Sequence, residues 1–182
     1  MKVIPTDIPD LFVLEPRIFT DSRGFFYESY NESTLRVNGI DIDFVQDNQS
    51  YSTYGVLRGL HYQLHPYAQT KLVRVIRGRV LDVAVDLRKS SPTFGKYFSI
   101  ELNADNKLQL LIPQGFAHGF VVLSEEADFL YKCDQYYNKA SEGGILFNDP
   151  ELNIDWKIPS SDIILSDKDA ELPLLRDAVF NF

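Results

Sequence analysis

The sequence predicts an all-β sandwich or barrel with a few short helices, on three observations. Short apolar runs recur along most of the chain, separated by Gly, Pro, Asn and Asp, the pattern of strands joined by turns. Helical periodicity is scarce. At 182 residues, 45% of them hydrophobic, the chain is long enough to bury one substantial core. Residues 1–182 are therefore expected to form a single domain, with a barrel over about 20–157 and a C-terminal appendage over about 158–182, the change marked by Lys157-Ile158-Pro159-Ser160-Ser161.

In chain order, Phe25 to Tyr30 is the first strand candidate. Asn31 to Val37, closed by Asn38-Gly39, is the clearest helix. Val56 to Gln63 follows as a strand. Val73 to Leu87 is rich in Val, Ile and Leu and is divided by a hinge at Arg77-Gly78. Its second half alternates Leu81, Val83, Val85 and Leu87 against Asp82, Ala84 and Asp86, which predicts a half-buried hairpin. Phe98 to Leu102, Gln109 to Ile112, Gly119 to Leu123 and Phe129 to Gln135 complete the strands, and a helical turn or two follows Ser166. Neither repeats nor low-complexity tracts interrupt the series.

Lys and Arg number 18 against 26 Asp and Glu, a formal charge of -8. Such a field repels a polyanion and argues against nucleic acid as a partner. It leaves room for a small anionic ligand held by a few basic groups in a pocket. Cys133 is the single cysteine, so no intrachain disulfide forms; in the alternating run Phe129 to Cys133 it is expected as a small strand hydrophobe. The start, Met1-Lys2-Val3-Ile4-Pro5-Thr6-Asp7, lacks an apolar secretory core. No stretch approaches the roughly 20 apolar residues of a membrane span, so a cytoplasmic protein without membrane partners is expected.

Glycine-rich nucleotide fingerprints and phosphate loops are missing. The histidines carry more information. His61 lies in Leu57-Arg58-Gly59-Leu60-His61-Tyr62-Gln63, His65 follows shortly, and His118 closes Pro113-x-Gly115-x-x-His118. A turn leading to an inward imidazole at the entry to a strand is the arrangement of cupin-type jelly rolls. A metal-binding cupin needs a His-x-His pair followed by Glu. Here the pair position reads His61-Tyr62-Gln63, and Gln69 stands where the acid belongs, so the donor set is incomplete and no metal is expected.

Taken together, Arg58-Gly59-Leu60-His61-Tyr62-Gln63, Lys71-Leu72-Val73-Arg74-Val75, Asp82 to Arg88, Ser91 to Gly95, Ile112 to Phe120, Phe129-Leu130-Tyr131-Lys132 and the tail block Leu165-Ser166-Asp167-Lys168-Asp169-Ala170 resemble the dTDP-4-dehydrorhamnose 3,5-epimerases. The likeness runs from Arg17 to Ala178. It implies a cofactor-free, metal-free cupin acting on a dTDP-sugar, inverting carbons 3 and 5 of dTDP-4-dehydro-6-deoxy-D-glucose. Such an inversion needs a base beside the ketone, a stabiliser for the enolate oxygen and an acid on the opposite face.

By the resemblance, His61 is the base, an imidazole being suited to proton transfer at neutral pH, and Tyr131 is the acid. Asp169 stands behind His61, and Lys71 holds the enolate oxygen. Pattern alone gives Asp169 another role, because Ser166-x-x-Asp169 also fits a helix start. The resemblance further implies ligand contacts from Arg23, Glu28, Gln46, Asn48, Arg58, His118, Glu142 and Lys168, with Tyr137 stacking on the base. Arg23, Arg58, Lys71 and Lys168 are expected to meet around the diphosphate. Strict alternation places Arg58 and His61 on opposite strand faces, so both reach one pocket only if Gly59 bulges. The segment carrying Arg23 and Glu28 is expected to reach into a second subunit, which implies a homodimer. A single-carbon epimerase, a ketoisomerase, a metal cupin and a sugar-binding barrel are the alternatives.

Overall fold

The computed structural model describes residues 1–182. Two antiparallel sheets face each other in a jelly-roll sandwich. The six-stranded sheet runs, in spatial order, β1 (Lys2–Pro5), β2 (Phe12–Glu15), β10 (Gln109–Ile112), β7 (Lys71–Arg77), β12 (Glu126–Cys133) and β5 (Gln46–Thr53). The five-stranded sheet runs β13 (Glu142–Gly144), β6 (Leu57–Gln63), β11 (Phe116–Val122), β8 (Arg79–Asp86) and β9 (Tyr97–Asn103). β3 (Phe19–Asp21) and β4 (Gly24–Phe26) pair only with each other.

The two sheets enclose a core of Val73, Val75, Leu110, Ile112 and Phe129 from one side and Val80, Ala84, Phe120 and Val122 from the other. On the outer face of the five-stranded sheet, Leu81, Val83, Val85 and Val121 pack beneath Ile145, Leu152, Trp156 and Leu175. β8 is therefore loaded on both faces. At ~1.5–3 kcal/mol for each fully buried aliphatic side chain, it and its neighbour β11 form a rigid platform for any site they carry.

This double burial corrects the hairpin expected over 73–87. β7 and β8 are consecutive but belong to different sheets, and the chain crosses between them at Gly78, whose φ is +75°. A Cβ on Gly78 would fall 1.9 Å from the carbonyl oxygen of Glu126, so only glycine fits that corner. Nor are Asp82 and Asp86 a solvent face, since both are fully buried. Asp86 accepts from Arg88, Ser91 and Thr93, and Asp82 accepts from His118.

The strand expected over Phe25 to Tyr30 stops at Phe26, and β5, with the sequence Gln-Asp-Asn-Gln-Ser-Tyr-Ser-Thr, was not expected at all. Helix α1 (Glu32–Val37) starts where expected, Asn31 accepting the N–H of Thr34.

The C-terminal segment is tied to the outer face by buried polar contacts. Asp149 accepts the N–H groups of Glu151, Leu152 and Leu175 at 2.8, 2.9 and 2.7 Å. Ile164 bridges Val56 in parallel just ahead of β6. Cys133 is fully buried at the end of β12, and burial pushes its thiol up to about 11. No helix is long and apolar enough to cross a membrane.

Candidate active site

The site begins at a defect in strand pairing. His118 on β11 pairs with His61 on β6, whereas Phe120, two residues on, pairs with Arg58, three residues back. β6 absorbs the extra residue at Gly59, whose φ is +126°. There a Cβ would lie 2.6 Å from Gly119 Cα and 2.7 Å from the His118 carbonyl oxygen. The resulting bulge re-aims the strand, and Arg58 and His61 both line one cavity.

The same distortion turns the Gly59 N–H toward Asp169 Oδ2, 3.4 Å away. The other carboxylate oxygen, Oδ1, lies 2.6 Å from His61 Nε2. Asp169 arrives on the single-turn helix α2 (Asp167–Ala170), where its main-chain N–H is capped by Ser166 Oγ at 3.1 Å. Both sequence-level roles therefore coexist: the backbone of Asp169 completes the helix start while its side chain serves His61. Burial pushes the Asp169 carboxyl up. The hydrogen bond and charge of His61, with the Gly59 N–H and Ser166, outweigh it and hold the group below its ordinary value. An ionised Asp169 accepts the Nε2–H, leaving Nδ1 as the basic nitrogen of His61.

Tyr131 and Lys71 come from the facing sheet. Tyr131 on β12 pairs with Asn48 and Val73, and Lys71 opens β7 opposite Cys133. Lys71 Nζ is 5.9 Å from the Tyr131 ring centroid. Burial pushes the Tyr131 phenol up, so the hydroxyl stays protonated at neutral pH. Lys71 is half-buried rather than a surface lysine; burial pushes its ammonium down, against the charges of Cys133, Asp82 and Glu142.

The cavity between these walls has a volume of about 710 Å³, within the range of small-molecule sites. His61, Asp169, Tyr131, Lys71, Asn48, Arg58, His118 and Lys168 all line it. Arg58 is braced by Ser52 Oγ at 3.0 Å.

Three further expected residues attach to this shell. Glu142 accepts from Lys168 Nζ at 2.8 Å. Gln46 donates to Asn48 at 2.9 Å and accepts the Tyr137 N–H at 3.1 Å. Tyr137 itself is 55% exposed.

Arg23 and Glu28 do not join them within one chain. Arg23 lies in the β3–β4 turn and donates its main-chain N–H to the Asp21 carboxylate, and Glu28 accepts from Asn31. Of the four cations expected around one diphosphate, the fold of a single chain thus gathers Arg58, Lys71 and Lys168. His65 is also remote, edge-on to Phe182.

Asp82 is the residue that sequence reasoning missed. Both its oxygens accept from His118 Nε2, at 2.9 and 3.1 Å. His118 stacks at 6.0 Å on Phe129, which stacks at 4.1 Å on Phe120. The one available signal was a polar residue on each of two strands, and they prove to be diagonal neighbours, Asp82 lying two residues from Ala84, the ladder partner of His118, which needs the register to be seen.

A base backed by a carboxylate on one sheet, and a neutral phenol beside an ammonium on the other, can remove a proton from one face of a carbon and return one to the opposite face.

The model of a family described as dTDP-4-dehydrorhamnose 3,5-epimerase matches residues 5–177. A dTDP-4-dehydrorhamnose 3,5-epimerase of Shigella flexneri is 58% identical over 170 residues, 93% of each chain. The crystal structure of one from Elizabethkingia anophelis superposes with a TM-score of 0.94 at 57% identity, covering 97% of both chains. A dTDP-6-deoxy-D-glucose-3,5-epimerase from Legionella pneumophila, solved in complex with dTDP-4-keto-L-rhamnose, gives a TM-score of 0.92 at 51% identity, covering 97% of this chain and 93% of that one.

Proposed function

This chain belongs to the dTDP-4-dehydrorhamnose 3,5-epimerase family of isomerases, and from that premise we propose how its own residues divide the reaction. The substrate is dTDP-4-dehydro-6-deoxy-D-glucose and the product dTDP-4-dehydro-L-rhamnose. What carries the assignment is the placement of His61, with Asp169 2.6 Å behind it, and Tyr131 on opposing sheets across one cavity.

His61 Nδ1 takes the proton from a carbon beside the C4 ketone. The C–H electrons form a carbon–carbon double bond, and the carbonyl electrons move onto the C4 oxygen. Lys71 sits in the wall beside Tyr131 and supplies positive charge to that oxygen. Tyr131 then gives its hydroxyl proton to the opposite face as the enolate collapses to the ketone. His61 is left protonated and Tyr131 ionised; exchange with water resets both. Two such events invert carbons 3 and 5.

Incubating the protein with the substrate in heavy water and reading deuterium at both carbons by NMR tests this division. Wild type is expected to label both. His61→Asn should abolish exchange while keeping the fold. Tyr131→Phe should still wash out substrate protons but form little product. Undiminished exchange in His61→Asn removes it as the base, and an unchanged product yield in Tyr131→Phe removes it as the acid.

The same proposal includes a homodimer. Phe19, Phe25 and Phe26 of the β3–β4 hairpin are 50, 61 and 67% exposed, an unusual apolar load beside Arg23. A second subunit covering that hairpin accounts for it and carries Arg23 toward a partner's diphosphate. Mixing Arg23→Ala with His61→Asn subunits should then restore activity to one site of each mixed dimer. No recovery in mixtures whose subunits demonstrably exchange sinks the shared-site arrangement.

A further inference from the structure

Gln63 and Gln69 occupy the positions at which a metal-binding cupin would carry its second histidine and its acid, yet both carboxamides are spent on the backbone. Gln63 is 5% exposed. Its Nε2 donates to the carbonyls of Tyr67 at 2.7 Å and Tyr136 at 3.3 Å, and its Oε1 accepts the Asn138 N–H at 2.7 Å. Both amide protons and the acceptor oxygen are used. Gln69 Nε2 donates to the Gln135 carbonyl at 2.8 Å, and Gln46 Oε1 accepts the Tyr137 N–H at 3.1 Å. Three glutamines thus hold four consecutive residues, 135–138, by their main chain.

Asn138 is also tied to the Ser141 N–H through its side chain and its carbonyl, but the residues before it have little else to fix them. Tyr136 and Tyr137 are 67 and 55% exposed, so they bury little apolar surface to offset the cost of ordering their backbone. The clamp takes that cost in the free protein rather than at the moment a ligand lands, which is preorganisation. It also joins the two sheets, since Gln46 lies on β5 and Gln63 on β6. Gln63 further pairs in the ladder with Glu142, whose carboxylate holds Lys168.

We propose that Gln63, assisted by Gln69, is a positioning residue for nucleotide binding: its carboxamide holds segment 135–138 so that Tyr137 stands as a preformed platform for the base of the dTDP moiety. The proposal rests on the assignment of Tyr137 as the stacking residue. It makes Gln63 matter for grip on the nucleotide and leaves the His61–Tyr131 chemistry alone.

The test measures dTDP affinity by calorimetry, with KM and kcat for the dTDP-sugar, in Gln63→Met, Tyr137→Ala and the double variant. Expected for Gln63→Met is about tenfold weaker dTDP binding and a matching rise in KM, with kcat within about threefold of wild type. In the Tyr137→Ala background the Gln63 change should add nothing further, because the platform it positions is gone. Full additivity in the double variant, or a fall in kcat with KM unchanged, overturns the positioning role. If Tyr137→Ala weakens dTDP and Gln63→Met does not, the proposal alone fails. If Tyr137→Ala binds dTDP as wild type does, the stacking assignment fails and takes the proposal with it. Should Gln63→Met not fold, Gln69→Met, which removes a single bond from a half-buried side chain, takes the same measurements; there a smaller loss of dTDP affinity is expected, and no loss overturns the proposal.

Discussion

His61 Nε2 and Asp169 Oδ1 lie 2.6 Å apart across a sequence separation of 108 residues. The contact exists because two independent features converge. A bulge on β6 turns the Gly59 N–H to one carboxylate oxygen, and a capped single-turn helix delivers the carboxylate from the C-terminal segment. The pair fixes which imidazole nitrogen carries the proton, so its loss should damage chemistry more than binding.

Asp169→Asn is therefore expected to lower kcat by about 10²–10⁴-fold with KM little changed. It should also change stability in a pH-dependent way. The Asp169 carboxyl is held below 3.8 in the folded protein, against about 3.9 when unfolded. Its contribution is complete above about pH 4 and is lost as pH falls through the depressed folded value. Thermal melts of wild type and variant should differ most near neutrality and converge in acid. A gap that widens in acid contradicts the assigned shift.

Gly59→Ala should be severe although it adds one methyl group. Alanine would be forced to a φ of +126°, costing about 1–3 kcal/mol, and its Cβ would meet backbone on both Gly119 and His118 within 2.7 Å. Backbone yields less than a side-chain tip, so about 1–3 kcal/mol more is expected from overpacking, together with loss of the His61–Asp169 alignment. Denaturant unfolding and turnover check this together. A variant as stable and active as wild type removes Gly59 from the account.

How far such features were legible follows from what each depends on. The need for a bulge at Gly59 was readable, because Arg58 and His61 cannot share a face of a regular strand and glycine stood between them. The turn before His118 and the stop of the first helix at Asn38-Gly39 were readable for the same reason: local geometry wrote them into local residue types. β5 was invisible because its strand character comes from pairing with β12 along its whole length, not from its own polar residues. Asp82 and Asp86 looked like a wet face, since alternation cannot reveal that both faces of β8 are covered, one by the opposing sheet and one by the C-terminal segment. The glutamine clamp was half legible. The sequence marked Gln63 and Gln69 as departures from a metal-binding pattern, but what they hold is main chain from residues 135–138, which only the fold brings near.

Lys71 places function against stability. The proposed role calls for its ammonium beside the enolate oxygen, yet burial in the cavity wall disfavours the charged form and pushes its pKa below the ordinary lysine value. An unfolded lysine takes up its proton more readily, so the folded state carries a penalty that is complete below the depressed folded value and is relieved as pH rises through it. Lys71→Met keeps the length of the side chain and removes that penalty. At neutral pH the variant is expected to melt about 2–4 °C higher while losing most of its turnover, the pattern of a site kept at some cost to the fold. Calorimetry and the heavy-water exchange assay decide it together. A variant that melts lower than wild type means the ammonium is satisfied by partners in the wall, and one that retains wild-type turnover means the enolate oxygen draws its charge from elsewhere in the cavity.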